Sequence, residues 1–482
     1  MKTLCKYIAL VMSIMLLCGC SSDTPVSTET VPTETSMAAW PGYAGTMEGY
    51  EPYYTEGREK LWEEDVLYLA ETFLSGHPKL ANANFVTQYF EAYGGESRVD
   101  YSNMHYDEAL RNQFIQEINL LIPRFSELSD AHIRYEFSRI IALLECAHSA
   151  SSLSMAGIMI LPLCFEPIEH AEGFSLCTVR ASEEYHDLLG SKLTAINGVP
   201  IETIVEALSA YIPHENDYWP IHMLAMIFDG GVLPQRYALS VIGIVDPDAE
   251  SVEATFQTAD GTRNVIVEFV SEYDFFIGLE MFEHKMISNQ SARFQLDQNY
   301  WYITGRSEEG PYIYVRFVKM QEMENYTVEQ LTLDVSNLLR DAEEPVKLMI
   351  DFRNNSGGRT FDGAMNRFAK NINKYETAGT YILINGGSFS AGSGTAFVLS
   401  KTIEGAKLVG TPAGQPPNCS GAPISYSTPN YEVSFKVSDN YLYSAPGNTD
   451  DAIYPDITVY QTWEDYQNGI DTVLKYIVTL EQ

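Results

Sequence analysis

The chain has 482 residues, of which 45% are hydrophobic and 20% charged. That balance supports a folded core and, at roughly 100–200 residues per domain, about two to four domains. Asp and Glu number 65 against 30 Lys and Arg, a formal charge of −35; this excludes wrapping a nucleic-acid backbone, which needs a basic surface, and docking on anionic lipid by charge alone.

In chain order, the first segment is a targeting sequence. Lys2 and Lys6 precede an 11-residue apolar run at 8–18, with Ser13 its one polar member. A spanning helix needs roughly 20 apolar residues, so this run reads as a signal peptide over residues 1–19. It closes in Leu17-Cys18-Gly19-Cys20, a close match to a bacterial lipobox. Small residues there admit the chain to a peptidase, and Cys20 offers the thiol to be acylated. Cleavage before Cys20 removes Lys2 and Lys6 and takes the charge to −37. Residues 20–58 are rich in Ser, Thr, Pro and Glu, cannot bury a core, and read as a lipidated tether. The expected location is the extracytoplasmic side of the cell membrane, reached through the N-terminal lipid alone.

Seven cysteines are present, and three of them belong to the signal: Cys5, Cys18 and Cys20. The other four, Cys146, Cys164, Cys177 and Cys419, form no CxxC pair and no zinc spacing. Disulfides and buried thiols both remain open for them.

Residues 59–157 carry three apolar stripes at helical spacing, around 61–73, 115–122 and 137–144, and Pro123 breaks the second. From 158 the period changes. An apolar stretch at 157–165 closes at Glu166-Pro167, and residues 192–201 read as a strand, an Asn197-Gly198 turn and the start of a helix. A hairpin is expected across Asp260-Gly261. Residues 158–298 are therefore a small β domain with a connector. From 299 to 482 strands and helices alternate: strands at 312–318, 346–351, 380–384 and from 408, helices at 328–339, 361–372 and 391–399. Such alternation predicts an α/β core.

Two segments of this core carry chemistry. A buried strand runs through Asp351 into Phe352-Arg353-Asn354-Asn355-Ser356-Gly357-Gly358, where glycines let a ligand approach backbone N–H donors. A second strand runs into Asn385-Gly386-Gly387-Ser388-Phe389-Ser390-Ala391, placing a serine at a helix start, where free N–H groups and the helix dipole stabilise a developing oxyanion. Taken singly, the first also suits a plain turn and the second an N-cap serine.

Together, and in order, the two segments resemble the tail-specific, or C-terminal processing, serine peptidase family. Ala406-Lys407-Leu408-Val409-Gly410 and Tyr454-Pro455-Asp456-Ile457 match two later stretches of the same pattern. The resemblance covers roughly residues 130–480. It implies a ClpP/crotonase-like α/β core with a helical N-terminal region and a small PDZ-like β domain. It also implies a peptide or protein substrate and no metal or organic cofactor. By this resemblance Ser390 is the nucleophile, with Ser388 and Ser393 as confusable neighbours, and Ala391 with Gly357 or Gly358 supplies the oxyanion hole.

Many members pair the serine with a lysine about 25 residues on. Gln415 stands in that slot, and an amide cannot accept a proton at neutral pH. The tricorn-core-like branch instead uses an upstream histidine, and Leu144-Glu145-Cys146-Ala147-His148-Ser149 resembles its motif. His148 is then the general base. That branch orients its histidine with a glutamate shortly before the closing Pro-Asp. Here the stretch holds Asp450, the best-placed carboxylate, and Asp451 next. Asp351 and Asp456 are expected to fix strand ends. The leading expectation is an exported, lipid-anchored serine endopeptidase. A ligand- or peptide-binding lipoprotein on the same scaffold is the alternative.

Overall fold

The computed structural model describes residues 52–481 apart from 82–84, 90–98, 103–104, 154–157, 226–230, 272–279, 282–297 and 446. The signal peptide, Cys20 and most of the tether lie outside the described residues. Among the described residues no helix is long and apolar enough to cross a membrane.

The N-terminal region holds three helices, α1 (Gly57–Gly76), α2 (Glu108–Leu121) and α3 (Asp130–Ala142). Asp107 and Ser129 cap the last two by accepting backbone N–H bonds. Strands β1 (Phe85–Tyr89) and β2 (Val99–Ser102) lie between α1 and α2, so the region is not purely helical. Helix α3 ends two residues earlier than its apolar stripe, at Ala142. Glu145 takes a positive φ of 45° and turns the chain out of the helix. Lys79 Nζ donates to the carbonyl of Leu144, just past the helix, at 2.6 Å. Strand β3 (Ala150–Ser151) follows.

The middle region is built on a seven-stranded antiparallel sheet. Its chain runs through β4 (Met159–Ile160), β5 (Leu163–His170), β6 (Gly173–Ala181), β7 (Lys192–Ile196) and β8 (Val199–Pro200). Helices α4 (Ile201–Ser209), α5 (Tyr218–Ala225) and α6 (Arg236–Val241) precede β9 (Ser251–Thr258), β10 (Gly261–Glu268), β11 (Val270–Ser271) and β12 (Glu280–Met281). Strands β4 and β11 form a separate pair. The Asn197-Gly198 turn appears as expected, both residues having positive φ as a tight hairpin turn requires. Pro167 does not end its strand. It sits opposite Leu176 on β5, which among the described residues pairs with β6 alone, and a proline without its N–H is tolerated on such an edge strand.

The C-terminal region is a six-stranded sheet in the order β13-β14-β15-β16-β17-β20. Its strands are β13 (Tyr300–Ser307), β14 (Gly310–Phe317), β15 (Val346–Asp351), β16 (Thr377–Ile384), β17 (Lys407–Gly410) and β20 (Ile457–Thr458). All pairs beyond the first hairpin are parallel. Helices α7 (Val328–Arg340), α8 (Asp362–Ile372) and α9 (Ala391–Thr402) make the crossovers. Because the strand order from β14 to β17 is monotonic, right-handed crossovers place all three helices on one face. They bury Leu331, Val335, Phe368 and Leu399 against Ile313, Leu348, Ile350 and Ile382. Helix α10 (Trp463–Gln467) precedes α11 (Thr472–Val478), which covers the opposite face by packing Val473, Leu474 and Ile477 on Tyr314, Met349 and Leu383.

One hairpin leaves this core. Strands β18 (Asn418–Ser427) and β19 (Ser434–Tyr443) join β1, β2 and β3 in a five-stranded sheet. Val433, Phe435 and Val437 are buried among α1, α2 and α3. The hairpin thus ties the C-terminal region to the N-terminal helices.

Candidate active site

The parallel strands β15 and β16 end side by side, Asp351 opposite Leu383. The two motif-bearing turns therefore emerge together at the carboxyl edge of the sheet, where α/β sheets form their crevices. Asp351 anchors the first. Its fully buried carboxylate accepts bonds from Tyr314 Oη at 2.7 Å, Arg316 Nη1 at 3.0 Å and Arg353 Nη2 at 2.6 Å. Burial pushes its pKa up, but Arg353 and Arg316 outweigh that and hold it below the usual carboxylate range. Arg353 continues to Asp471 at the start of α11. Asp456 accepts from the Leu408 N–H at 2.8 Å. Both aspartates fix strand ends.

Ser390 lies on the turn from β16 to α9. Its φ of 52° and ψ of −129° are rare for a residue with a side chain. Such a strained strand-to-helix turn presents a serine hydroxyl away from the backbone. Ser388 and Ser393 are fully buried. They bond the Phe352 carbonyl at 2.9 Å and the Ser390 carbonyl at 3.2 Å, so both hydroxyls brace the turn.

His148 reaches this serine across 242 residues, with 3.0 Å between Nε2 and Ser390 Oγ. The loop carrying it is pinned to β19, where Ser149 Oγ accepts the Ser438 N–H at 3.0 Å and β3 pairs with Phe435 and Lys436. The ring packs on Phe389, centroids 4.5 Å apart, and Phe389 stacks on Trp219 of α5 at 4.1 Å. Burial pushes the imidazole pKa down to about 4, helped by Lys436 and opposed by the Ser420 carbonyl. The ring is neutral at physiological pH, as a proton acceptor must be. Nδ1 is buried and makes no hydrogen bond of good geometry among the described residues.

The structure does not bring Asp450 to this pair. Its carboxylate is exposed and takes the Asn448 side-chain amide at 2.7 Å. Asp451 is also exposed and accepts from Tyr454 Oη. Both sit in a polar loop with its own hydrogen bonds, whereas His148 is 5% exposed.

The oxyanion donors divide. Ala391 N–H is the first of α9, and no described residue accepts from it. Gly357 N–H already donates to Asn355 Oδ1 at 2.9 Å. What Gly357 contributes is space, since a Cβ there would stand 2.5 Å from the Ser390 Cβ. Gly358, φ 132°, follows against Met320, whose own N–H bonds the Gly357 carbonyl.

Gln415 has a part that its sequence position did not disclose. Its side-chain oxygen accepts the Ser390 N–H at 2.6 Å, and its amide faces the Ser390 carbonyl at 3.5 Å. It holds both peptide groups of the strained residue. Phe389 was equally hidden, because its partners His148 and Trp219 lie far away in the chain. The four cysteines outside the signal are buried and not joined in disulfides. Among the described residues no group of three or more His, Cys, Asp or Glu is arranged to hold a metal.

A neutral imidazole on a serine hydroxyl, beside a free helix-start N–H, is an arrangement suited to acyl transfer. The fold has known counterparts. Mature CPAF aligns over 87% of this chain and 96% of its own at 11% identity, with a TM-score of 0.54. A serine-to-alanine mutant of CPAF aligns over the same shares at 10% identity and a TM-score of 0.57, and CPAF complexed with lactacystin at 12% and 0.54. At such identities the likeness is one of fold. No protein-family model matches the chain, and no curated protein matches it by sequence.

Proposed function

We propose that the protein is a serine endopeptidase of the tail-specific type, using Ser390 as nucleophile and His148 as general base. The observation that carries this reading is the 3.0 Å contact between His148 Nε2 and Ser390 Oγ, residues 242 positions apart, with Ser390 on a strained strand-to-helix turn. Oγ attacks a peptide carbonyl as Nε2 takes its proton. The Ala391 N–H and the α9 dipole stabilise the oxyanion. The imidazolium then protonates the leaving amine, and a water activated by His148 releases the acyl group. The CPAF likeness over most of both chains supports the fold that this chemistry needs. The middle sheet is read as a PDZ-like module and the C-terminal sheet as a ClpP/crotonase-like core. Acylation at Cys20 would hold the enzyme on the outer face of the membrane.

The alternative, a binding lipoprotein on the same scaffold, draws on the lack of a carboxylate hydrogen-bonded to His148 Nδ1 among the described residues. A fluorophosphonate probe separates the two. The wild type is expected to be labelled and Ser390→Ala not. A folded wild type that never labels supports the binding protein.

A further inference from the structure

Glu169 of β5 and His222 of α5 belong to the middle region, yet they meet on the turn that leads into Ser390. His222 Nε2 lies 3.3 Å from Glu169 Oε1. The other carboxylate oxygen accepts from Thr411 Oγ1 and faces the Gly386 N–H at 3.5 Å. Both side chains are largely buried, His222 to 6% and Glu169 to 12% exposure. Burying an imidazole and a carboxylate costs solvation, so their placement needs a return.

The glycines of the turn show what they touch. Neither Gly386 nor Gly387 has positive φ, so backbone freedom is not why they are glycines. Space is. A Cβ on Gly386 would run into Glu169 Oε1 and stand 2.8 Å from the His222 ring, and one on Gly387 would stand 2.8 Å from His222 Nδ1. The core side of the turn is held separately. Asn385 exchanges bonds with Asn354, and its backbone N–H donates to Ser388 Oγ at 3.0 Å. The turn is gripped from both sides, and one grip comes from another part of the fold.

We propose that Glu169 and His222 are positioning residues that clamp the Gly386-Gly387 turn and so set Ser390 Oγ against His148. This rests on the serine-hydrolase reading. Neither side chain touches the reacting atoms; they act through the backbone between Ile384 and Ser390. Trp219, one helical turn before His222, adds the stack on Phe389 and makes α5 the rigid support of the clamp.

The test uses the full chain and the rate of fluorophosphonate labelling, with peptide kinetics beside it. His222→Ala and Glu169→Ala are expected to slow labelling by about 10- to 100-fold, as a misplaced nucleophile does, and to lower kcat with little change in KM. His222→Gln, whose amide still donates to Glu169, is expected to restore much of the rate. Gly386→Ala attacks the same contact from the turn, so its loss and that of His222→Ala should not add. Variants that keep the wild-type melting temperature and label at the wild-type rate overturn the clamp alone. If His222→Ala and Glu169→Ala do not fold, Gly386→Ala decides: a folded Gly386→Ala that labels about 10- to 100-fold more slowly supports the clamp, and one that labels at the wild-type rate overturns it. A wild type that never labels overturns the hydrolase reading and the clamp with it.

Discussion

At the scale of the residue, the decisive feature is an imidazole whose environment makes it a weak base. Burial takes His148 to about 4, the Ser420 carbonyl opposing only in part, and among the described residues no carboxylate hydrogen-bonds Nδ1. A carboxylate partner would stabilise the imidazolium and raise that value. The sign for activity follows, because catalysis needs the neutral ring. As pH falls, kcat/KM should hold through pH 6.5 and drop with a midpoint near 4. A midpoint near the ordinary histidine value would show that the ring is solvated in the working enzyme. The same pH series on Asp450→Asn should superimpose on the wild type, since that carboxylate is engaged by Asn448 in an exposed loop. A fall of about 10⁴ in kcat, the loss seen when a triad aspartate is replaced, would instead place Asp450 on the histidine. Sequence reading could name Ser390 and His148 because each sits in a local motif. It could not choose the third group, since an acidic loop near the right position looks the same whether or not it folds back.

At the scale of the element, the β18–β19 hairpin delivers the histidine to the serine. The chain needs it because α3 ends before His148, and the loop after it has no regular structure until β3 pairs with β19. Ser149 Oγ, accepting the Ser438 N–H, is the latch between them. Ser149→Ala leaves that N–H buried without its acceptor and should cost about 1–3 kcal/mol. It should also slow fluorophosphonate labelling by about tenfold as the loop loosens, while Ser149→Thr keeps both. Unchanged labelling in a destabilised Ser149→Ala would confine the latch to stability. The helices and strands of the α/β core were legible from period and turn chemistry, as at 346–351, where Val346, Leu348, Met349 and Ile350 are apolar, Asp351 ends the strand and all six residues, Lys347 included, are buried. Strand β5 was not legible beyond Pro167, because a proline is tolerated on an edge strand and only pairing reveals which strand is an edge. The hairpin's allegiance to the N-terminal helices was hidden for the same reason.

At the scale of the whole molecule, buried ionisable groups set how stability follows pH. Glu215 is the clearest. Its carboxylate oxygens are buried beside the His148 loop, and burial pushes the pKa up to about 7, with the Ala147 N–H and Lys79 opposing. A raised carboxyl contributes stability fully below its ordinary value of 4.5 and loses it as pH rises through about 7. His148, lowered, works the other way: its contribution is present above 6.5 and is lost as pH falls through about 4. The two slopes oppose each other between those limits. Glu215→Gln removes one of them. Relative to the wild type it should gain about 3 kcal/mol between pH 4.5 and pH 8, read from denaturant midpoints, and the pair should differ by a constant amount if the carboxyl is solvated.

By itself the sequence determined most elements of the α/β core, because helix and strand periods and glycine turns are written in neighbouring residues, and its resemblance to the peptidase motifs named Ser390 and His148 as the expected pair. Only the tertiary structure decided what surrounds that pair. It put Gln415 on the Ser390 backbone, committed the Gly357 N–H to Asn355, left Asp450 in solvent and set Glu169 and His222 on the glycine turn. Gln415, Glu169 and His222 come from other loops, strands and helices than the turn they hold, and hydrogen-bond geometry and burial exist only once packing has brought such groups to within a few ångströms.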